Sequence, residues 1–328
     1  MIYEAIQNWP KTISVNSNRL SISCNLSQSI LLYTFDYREA LFKPFKVNKA
    51  QKMRKYPTSS MIVSTYNWPE ALELVLLSIM RQSVLPNELI IADDGSGEET
   101  KKLISKYKQN FPTQLIHVWH EDKGFRLAEI RNKAIAQANF DYIIQVDGDT
   151  ILHKHFTRDH LQSAAPGTFV TGSRVLLNNE VTLKHQSQKN VNFTFLSKGI
   201  KNRFNAIHLP TISLFFEKCT EGVEEARHSV RGCNMSFWKK DLIEVNGYDE
   251  NMKGWGREDS ELSIRLVHSG KVRKSIKFKA VQFHQYHLMK SKESLNKNES
   301  LLVKTVEEKL IRCKHGLRNH LKRETTFT

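Results

Sequence analysis

No apolar run in this 328-residue chain approaches the ~20 residues that a membrane-spanning helix needs. The nearest candidate, Ser29 to Phe35, is too short, and the N-terminus lacks the basic-then-apolar order of a secretory signal. The expectation is a cytoplasmic protein. Cysteine is scarce: Cys24, Cys219, Cys233 and Cys313 show no metal-ligand spacing, which fits free thiols in a reducing compartment. There is no helix-turn-helix, zinc-finger or aromatic RNA-binding signature to match the formal charge of +15, so no specific nucleic-acid partner is expected. The charge points instead to an anionic membrane surface, met peripherally on the inner face, or to phosphorylated substrates, or to a merely soluble basic surface. With 40% apolar and 25% charged residues, the chain lies in the ordinary globular range.

From residue 58 to residue 150 the pattern alternates. Met61 to Ser64, Leu89 to Ala92, Leu115 to Trp119 and Tyr142 to Val146 read as strands. Segments starting at Pro69, Glu98 and Leu127 read as helices, the first with Leu72, Val75, Leu76 and Ile79 on one face. Continuous apolar strands between amphipathic helices imply an α/β fold, a mostly parallel sheet with helices on both faces. Ligands of such sheets bind outside the carboxyl ends of the strands. Three polar clusters fall there: Thr65-Tyr66-Asn67, Asp93-Asp94 and Asp147-Gly148-Asp149.

The remaining segments divide the chain into residues 1–57 of unassigned role, 58–160, 161–290, and a basic tail at 291–328. The first holds short β-like runs and is either a small appended element or an overextended gene start. Asn178 to Asn205, polar and without periodicity, predicts a long mobile loop. A helix is expected from Glu258 to His268, with Gly270 past its end, and another over 299–323 with Arg312, Lys314, Arg318, Lys322 and Arg323 at its basic end.

Two carboxylates two apart at a strand end suit Mg²⁺ or Mn²⁺, hard ions that take carboxylate and phosphate oxygens; a solvated acidic turn is the ordinary alternative for Asp147 and Asp149. Asp93 and Asp94 can accept hydrogen bonds from a base or ribose, or form a simple turn. Trp255, between Gly254 and Gly256, offers a flat platform for a sugar face. Glu258 and Asp259 either complement a helix start or place a base beside a sugar hydroxyl, with the helix N-terminus keeping Asp259 ionised. His284 and His287 would fall on opposite faces of an extended segment, so one of them is expected at the metal.

Taken together, these motifs resemble an inverting family-2 glycosyltransferase of the GT-A fold. The resemblance rests on Val63-Ser64-Thr65-Tyr66-Asn67, Asp93-Asp94-Gly95-Ser96, Gly124-Phe125-Arg126, Arg131-Asn132 and Asp147-Gly148-Asp149. The later run from Arg231-Gly232-Cys233-Asn234-Met235 through Asn246-Gly247-Tyr248-Asp249-Glu250 to Gly254-Trp255-Gly256-Arg257-Glu258-Asp259 is similar to a galactosyltransferase-like C-terminal region. That region also occurs in bacterial chondroitin-polymerase-type enzymes. The resemblance covers about residues 58–290.

It implies a UDP-sugar donor contacted by Thr65, Asn67, Asp94 and Arg126, with Asp147 near ribose or donor sugar. It implies Mn²⁺ or Mg²⁺ on Asp149, completed by His284 or alternatively His287. Trp255 and Glu258 would bind a glycan or glycolipid acceptor and Asp259 would be the base, in surface-polysaccharide or lipopolysaccharide synthesis. Ser260 stands where the animal galactosyltransferases carry an acid. A nucleotidyltransferase is the nearest enzymatic rival, but Ser64-Thr65-Tyr66-Asn67-Trp68 is not its glycine-rich basic loop; a basic nucleic-acid-binding protein is the rival outside enzymes.

Overall fold

The computed structural model describes residues 56–228, 230–288 and 293–321, together with the strand backbone of an N-terminal unit. That unit, Met1–Lys55, is compact by itself, with antiparallel strands Ser14–Asn16, Arg19–Leu26 and Ser29–Asp36. The second unit, Tyr56–Thr328, carries all of the acidic and histidine motifs named above.

Its first half alternates as the sequence predicts: β1 (Ser59–Thr65), α1 (Pro69–Met80), β2 (Glu88–Asp93), α2 (Glu98–Lys108), β3 (Gln114–Trp119), α3 (Leu127–Gln137) and β4 (Tyr142–Asp147). Met61 and Val63 face one core with α1, whereas Ile62 faces the other with α3. β1 is therefore apolar on both sides, which is why it reads as a run rather than an alternation.

Then come β5 (Thr150–Leu152), α4 (Phe156–Ser163), β6 (Thr168–Thr171), β7 (Val175–Leu177), α5 (Asn179–Gln188), β8 (Ile200–Lys201), α6 (Pro210–Phe216), β9 (Lys218–Thr220) and α7 (Val223–His228). The chain continues with β10 (Asn234–Trp238), α8 (Lys239–Glu244), α9 (Glu258–His268), β11 (Val272–Ser275), β12 (Gln282–His284) and α10 (Leu295–Glu307).

The main sheet runs β9-β11-β6-β10-β4-β1-β2-β3. It is parallel from β4 to β3, but β10 enters antiparallel to both β4 and β6, and β9 is antiparallel to β11. Since β11 is parallel to β6, six of the eight strands run in one direction, and only β10 and β9 are reversed. A second sheet runs β8-β7-β12-β5. No helix among the described residues is long and apolar enough to cross a membrane.

Two expectations need correction. The stretch from Asn178 is not one long loop, for it opens with α5. Asn178 caps α5 by accepting from the Val181 amide at 2.9 Å. Only Thr182 of α5 is buried, so no apolar stripe announces it.

The C-terminal helix is α10, which ends before the basic cluster. Cys313 and Leu317 sit at a helical spacing, yet the backbone between them turns through Gly316, where a Cβ would lie 2.2 Å from the Asn246 carbonyl oxygen. Leu317 enters the main core, leaving Arg312 and Lys314 on irregular chain and Arg318 in the short 3-10 turn Leu317–Asn319; Lys322 and Arg323 lie outside the described residues.

Candidate active site

Three strand ends form a rim. In the parallel ladders Thr65 lies opposite Asp93, and Ser64 opposite Asp147, so the clusters are level. Gly148 docks its amide on the Ser64 carbonyl at 2.7 Å, and a Cβ there would come within 2.8 Å of that oxygen. Only glycine allows the turn to sit this close to β1.

Asp93 is fully buried, with one carboxylate oxygen accepting from the Ser96 amide and the other 2.9 Å from His117 Nε2. At the end of β2 its carboxylate holds the following turn and is not free to meet a nucleoside. Asp94 lies against His120 Nε2 at 2.7 Å and accepts from the Arg126 amide at 2.9 Å. Asn67, at φ 45°, accepts from the Gly97 amide. The Arg126 guanidinium bonds to Glu129 and to the Glu121 carbonyl. A cleft of about 430 Å³ brings Tyr66, Asp94 and Arg126 together with Gly254 and Trp255. The Gly254 amide donates to the Phe125 carbonyl at 3.1 Å, tying the late loop to the early one.

At the start of α9, Asp259 accepts from Arg131 Nη1 at 2.8 Å, while Arg131 Nη2 donates to Asp147 at 2.9 Å. Arg131 also reaches the Ser64 hydroxyl and stacks over the Tyr248 ring, and its side chain is only 1% exposed. The two acidic clusters, 112 residues apart between Asp147 and Asp259, thus meet on one buried guanidinium. Buried Arg265 holds α9 in place through Glu261 and the Val245 and Gly247 carbonyls. A Schellman motif closes α9, with Gly270 bonded to Val267 and Lys271 to Leu266.

Burial pushes the Asp259 carboxyl up, against the pull of Arg131. The helix start is therefore not what sets its ionisation. Glu258 is pushed up to about 7, by burial first and then by the charge of Asp259, and its Oε2 is buried without a hydrogen-bond partner. Trp255 is 40% exposed between Gly254 (φ +78°) and Gly256 (φ +106°), an aromatic face left to solvent beside these acids.

Asp149 gathers both histidines. His284 Nε2 is 3.6 Å and His287 Nε2 3.4 Å from its Oδ2, and one donor atom from each of the three residues falls within 4.8 Å of the others. The ladder explains the first, because His284 pairs with Thr150 next to Asp149. The alternation expected for the pair fails because the strand stops at His284. Gln285 then turns inward, its amide on the Asp149 carbonyl and its side chain on the Ala71 carbonyl, and His287 returns to the carboxylate. The Asp149 Oδ1 is buried with no hydrogen-bond partner. One carboxylate and two imidazoles with an unsatisfied buried oxygen fit a divalent ion that accepts nitrogen, Mn²⁺ more readily than Mg²⁺.

Arg131 is the site residue to which the sequence motifs alone assign no role. Its signal is its place on α3, three residues after buried Ala128 and four before buried Ile135, which puts a charge on the inward stripe. A charge buried there needs partners.

Residues 60–221 match the family described as glycosyl transferase family 2, and residues 217–292 match the one described as N-terminal domain of galactosyltransferase. The chain carries a family-2 glycosyltransferase domain followed by a galactosyltransferase-type region. The hyaluronan synthase of Pasteurella multocida is 28% identical over 234 residues, 66% of this chain and 23% of that protein. The chondroitin synthase of Escherichia coli is 24% identical over 254 residues, 69% of this chain and 34% of that protein. The chain therefore spans only 23% and 34% of the length of these relatives. GalNAc-T7, solved with UDP, GalNAc and Mn²⁺, superposes with a TM-score of 0.55 at 15% identity, covering 77% of this chain and 48% of that one, which is a likeness of fold.

Proposed function

We propose that this chain moves a sugar from a UDP-sugar to a hydroxyl of a glycan or glycolipid acceptor, with inversion at the anomeric carbon. The observation that carries the reading is the Asp147–Arg131–Asp259 bridge, which sets a carboxylate from the late motif beside the rim formed by the early ones.

Asp259 takes the proton of the acceptor hydroxyl as that oxygen attacks in line. Its raised pKa makes it a stronger base than an exposed aspartate. Arg131 fixes its direction, and Trp255 offers the acceptor an aromatic face, with Glu258 alongside. Asp94 and Arg126 line the cleft that would receive the nucleoside, and Thr65 and Asn67, which flank Tyr66 in sequence, would contact the same nucleotide. Asp149, His284 and His287 would hold the divalent ion, whose positive charge, when it is bound, offsets the charge of the leaving diphosphate. The Mn²⁺ that accompanies UDP in the GalNAc-T7 structure, and the glycans after which the two synthases are named, support this assignment.

Asp149→Ala should weaken Mn²⁺-dependent UDP binding in calorimetry, together with UDP release in a panel of UDP-sugars run with and without Mn²⁺. UDP binding that stays native and metal-dependent in this variant would remove Asp149 from the metal site.

Gly232→Ala tests the placement of the base. A Cβ on Gly232 would lie 2.0 Å from Asp259 Oδ2, so the carboxylate must move. Transfer should fall by about 10²-fold, as expected for a misplaced catalytic group, with UDP affinity close to native. Native transfer by a folded Gly232→Ala protein would show that the position of Asp259 does not matter.

A further inference from the structure

From Val181 to Phe216 the chain contains no aspartate or glutamate, but it does contain Lys184, Lys189, Lys198, Lys201 and Arg203. The same stretch displays large apolar side chains to solvent: Leu196 is 70% exposed, Phe204 76% and Phe215 86%, joined by Phe195, Ile212 and Phe216 at more than 40% each. These are not the side chains of an unanchored loop. Phe193, Ile200 and Ala206 are buried in a cluster with Ile151 and Phe283. Arg203 Nη1 donates to the Phe195 carbonyl at 2.7 Å, and Phe216 packs edge-on against Phe278 at 5.1 Å. Anchored backbone that presents phenylalanines outward leaves apolar area for which folding gives no return.

We propose that this segment docks the protein on an anionic lipid surface. Cations without intervening anions, interleaved with aromatic and aliphatic residues, have the composition of an interfacial anchor: the rings enter the headgroup boundary and the lysines meet lipid phosphate. Lys198, Lys201 and Arg203 are all exposed, as that contact requires. A protein partner of matching shape would demand anionic groups opposite each of them, whereas a lipid surface supplies such groups anywhere.

The location ties docking to the site. β8 pairs with β7, and β7 pairs with β12 at Leu176 and His284. At ordinary strand spacing β8 lies roughly 10 Å from the strand that carries His284. An acceptor anchored in the same lipid would therefore arrive beside the rim. That consequence rests on the transferase reading; the docking itself does not.

The test is sedimentation of the full chain with vesicles of phosphatidylcholine, with and without phosphatidylglycerol. Binding should require the anionic lipid and weaken with salt. Phe204→Ser/Phe215→Ser should lower the affinity by ~10-fold or more, since two exposed rings lose their apolar contact. Lys198→Glu/Lys201→Glu should lower it too and flatten the salt dependence, while Arg312→Glu/Arg318→Glu should leave most of it. Calorimetric UDP titration on the same proteins reports separately on the transferase reading. Equal sedimentation of the native chain and Phe204→Ser/Phe215→Ser overturns the proposal. So does a native dimer in light scattering that this variant turns into a monomer, since the face would then join two copies.

Discussion

Asp259→Asn is expected to lower transfer by at least ~10²-fold while leaving UDP affinity near native, the usual scale for loss of a general base. Asparagine keeps an oxygen that can accept from Arg131 and from the Tyr248 hydroxyl, now 2.8 Å and 3.3 Å from Asp259 Oδ1, so the start of α9 should hold its shape. Arg131 also keeps Asp147 as a charged partner. If Asp259 served only to complement the helix dipole, the substitution would cost about 1 kcal/mol or less and turnover would stay near normal. A UDP-release assay alongside thermal melting separates the two. Normal turnover with a competent acceptor would end the base assignment.

Replacing Arg131 with Met should have the larger effect on stability. Breaking a buried ion pair by removing one partner typically costs about 3–5 kcal/mol, and here one guanidinium serves two carboxylates. Burial already raises the pKa of both Asp147 and Asp259, and Arg131 is the largest charge opposing that rise. Without it their folded-state pKa values rise further. A carboxyl whose pKa is raised by folding is most favourable when protonated; stability is fully present below the unfolded pKa and is lost as pH rises through the folded one. The melting deficit of Arg131→Met relative to native protein should therefore widen as pH rises from below 4 toward 8. A deficit that does not vary with pH would mean that Arg131 contributes packing alone.

The first half of the second unit was legible because its signals were redundant. Pro69 begins α1, Leu72, Val75, Leu76 and Ile79 mark its buried stripe, and Asp93 and Asp147 end strands whose residues are buried on both faces. The late motif was legible for a different reason: glycines flanking a tryptophan before two acids are a local pattern that survives without knowledge of the fold.

What escaped depended on distant partners. β10 enters the sheet antiparallel between β4 and β6, and nothing local in its sequence specifies that direction. α5 has a cap and no apolar face. His287 reaches Asp149 only because Gln285 is pulled inward onto α1, a contact spanning 214 residues. The Asp147–Arg131–Asp259 bridge joins two strand-and-helix ends through a third element, and such a convergence has no periodicity to reveal it.

The burial of Leu317 bears on how this chain is made. Leu317 packs in the same core as Ile62 and Ile90, its amide is bonded to the Asn246 carbonyl, and Asn246 Oδ1 accepts from Arg318. Cys313 lies against the carbonyls of Asn246 and Tyr248, the turn that orients the Tyr248 hydroxyl toward Asp259. During synthesis the early strands and helices leave the ribosome first, and the core they share with Leu317 can be completed only once that residue has emerged. The wall behind the base of the rim therefore rests on contacts from well downstream of the turn that they support.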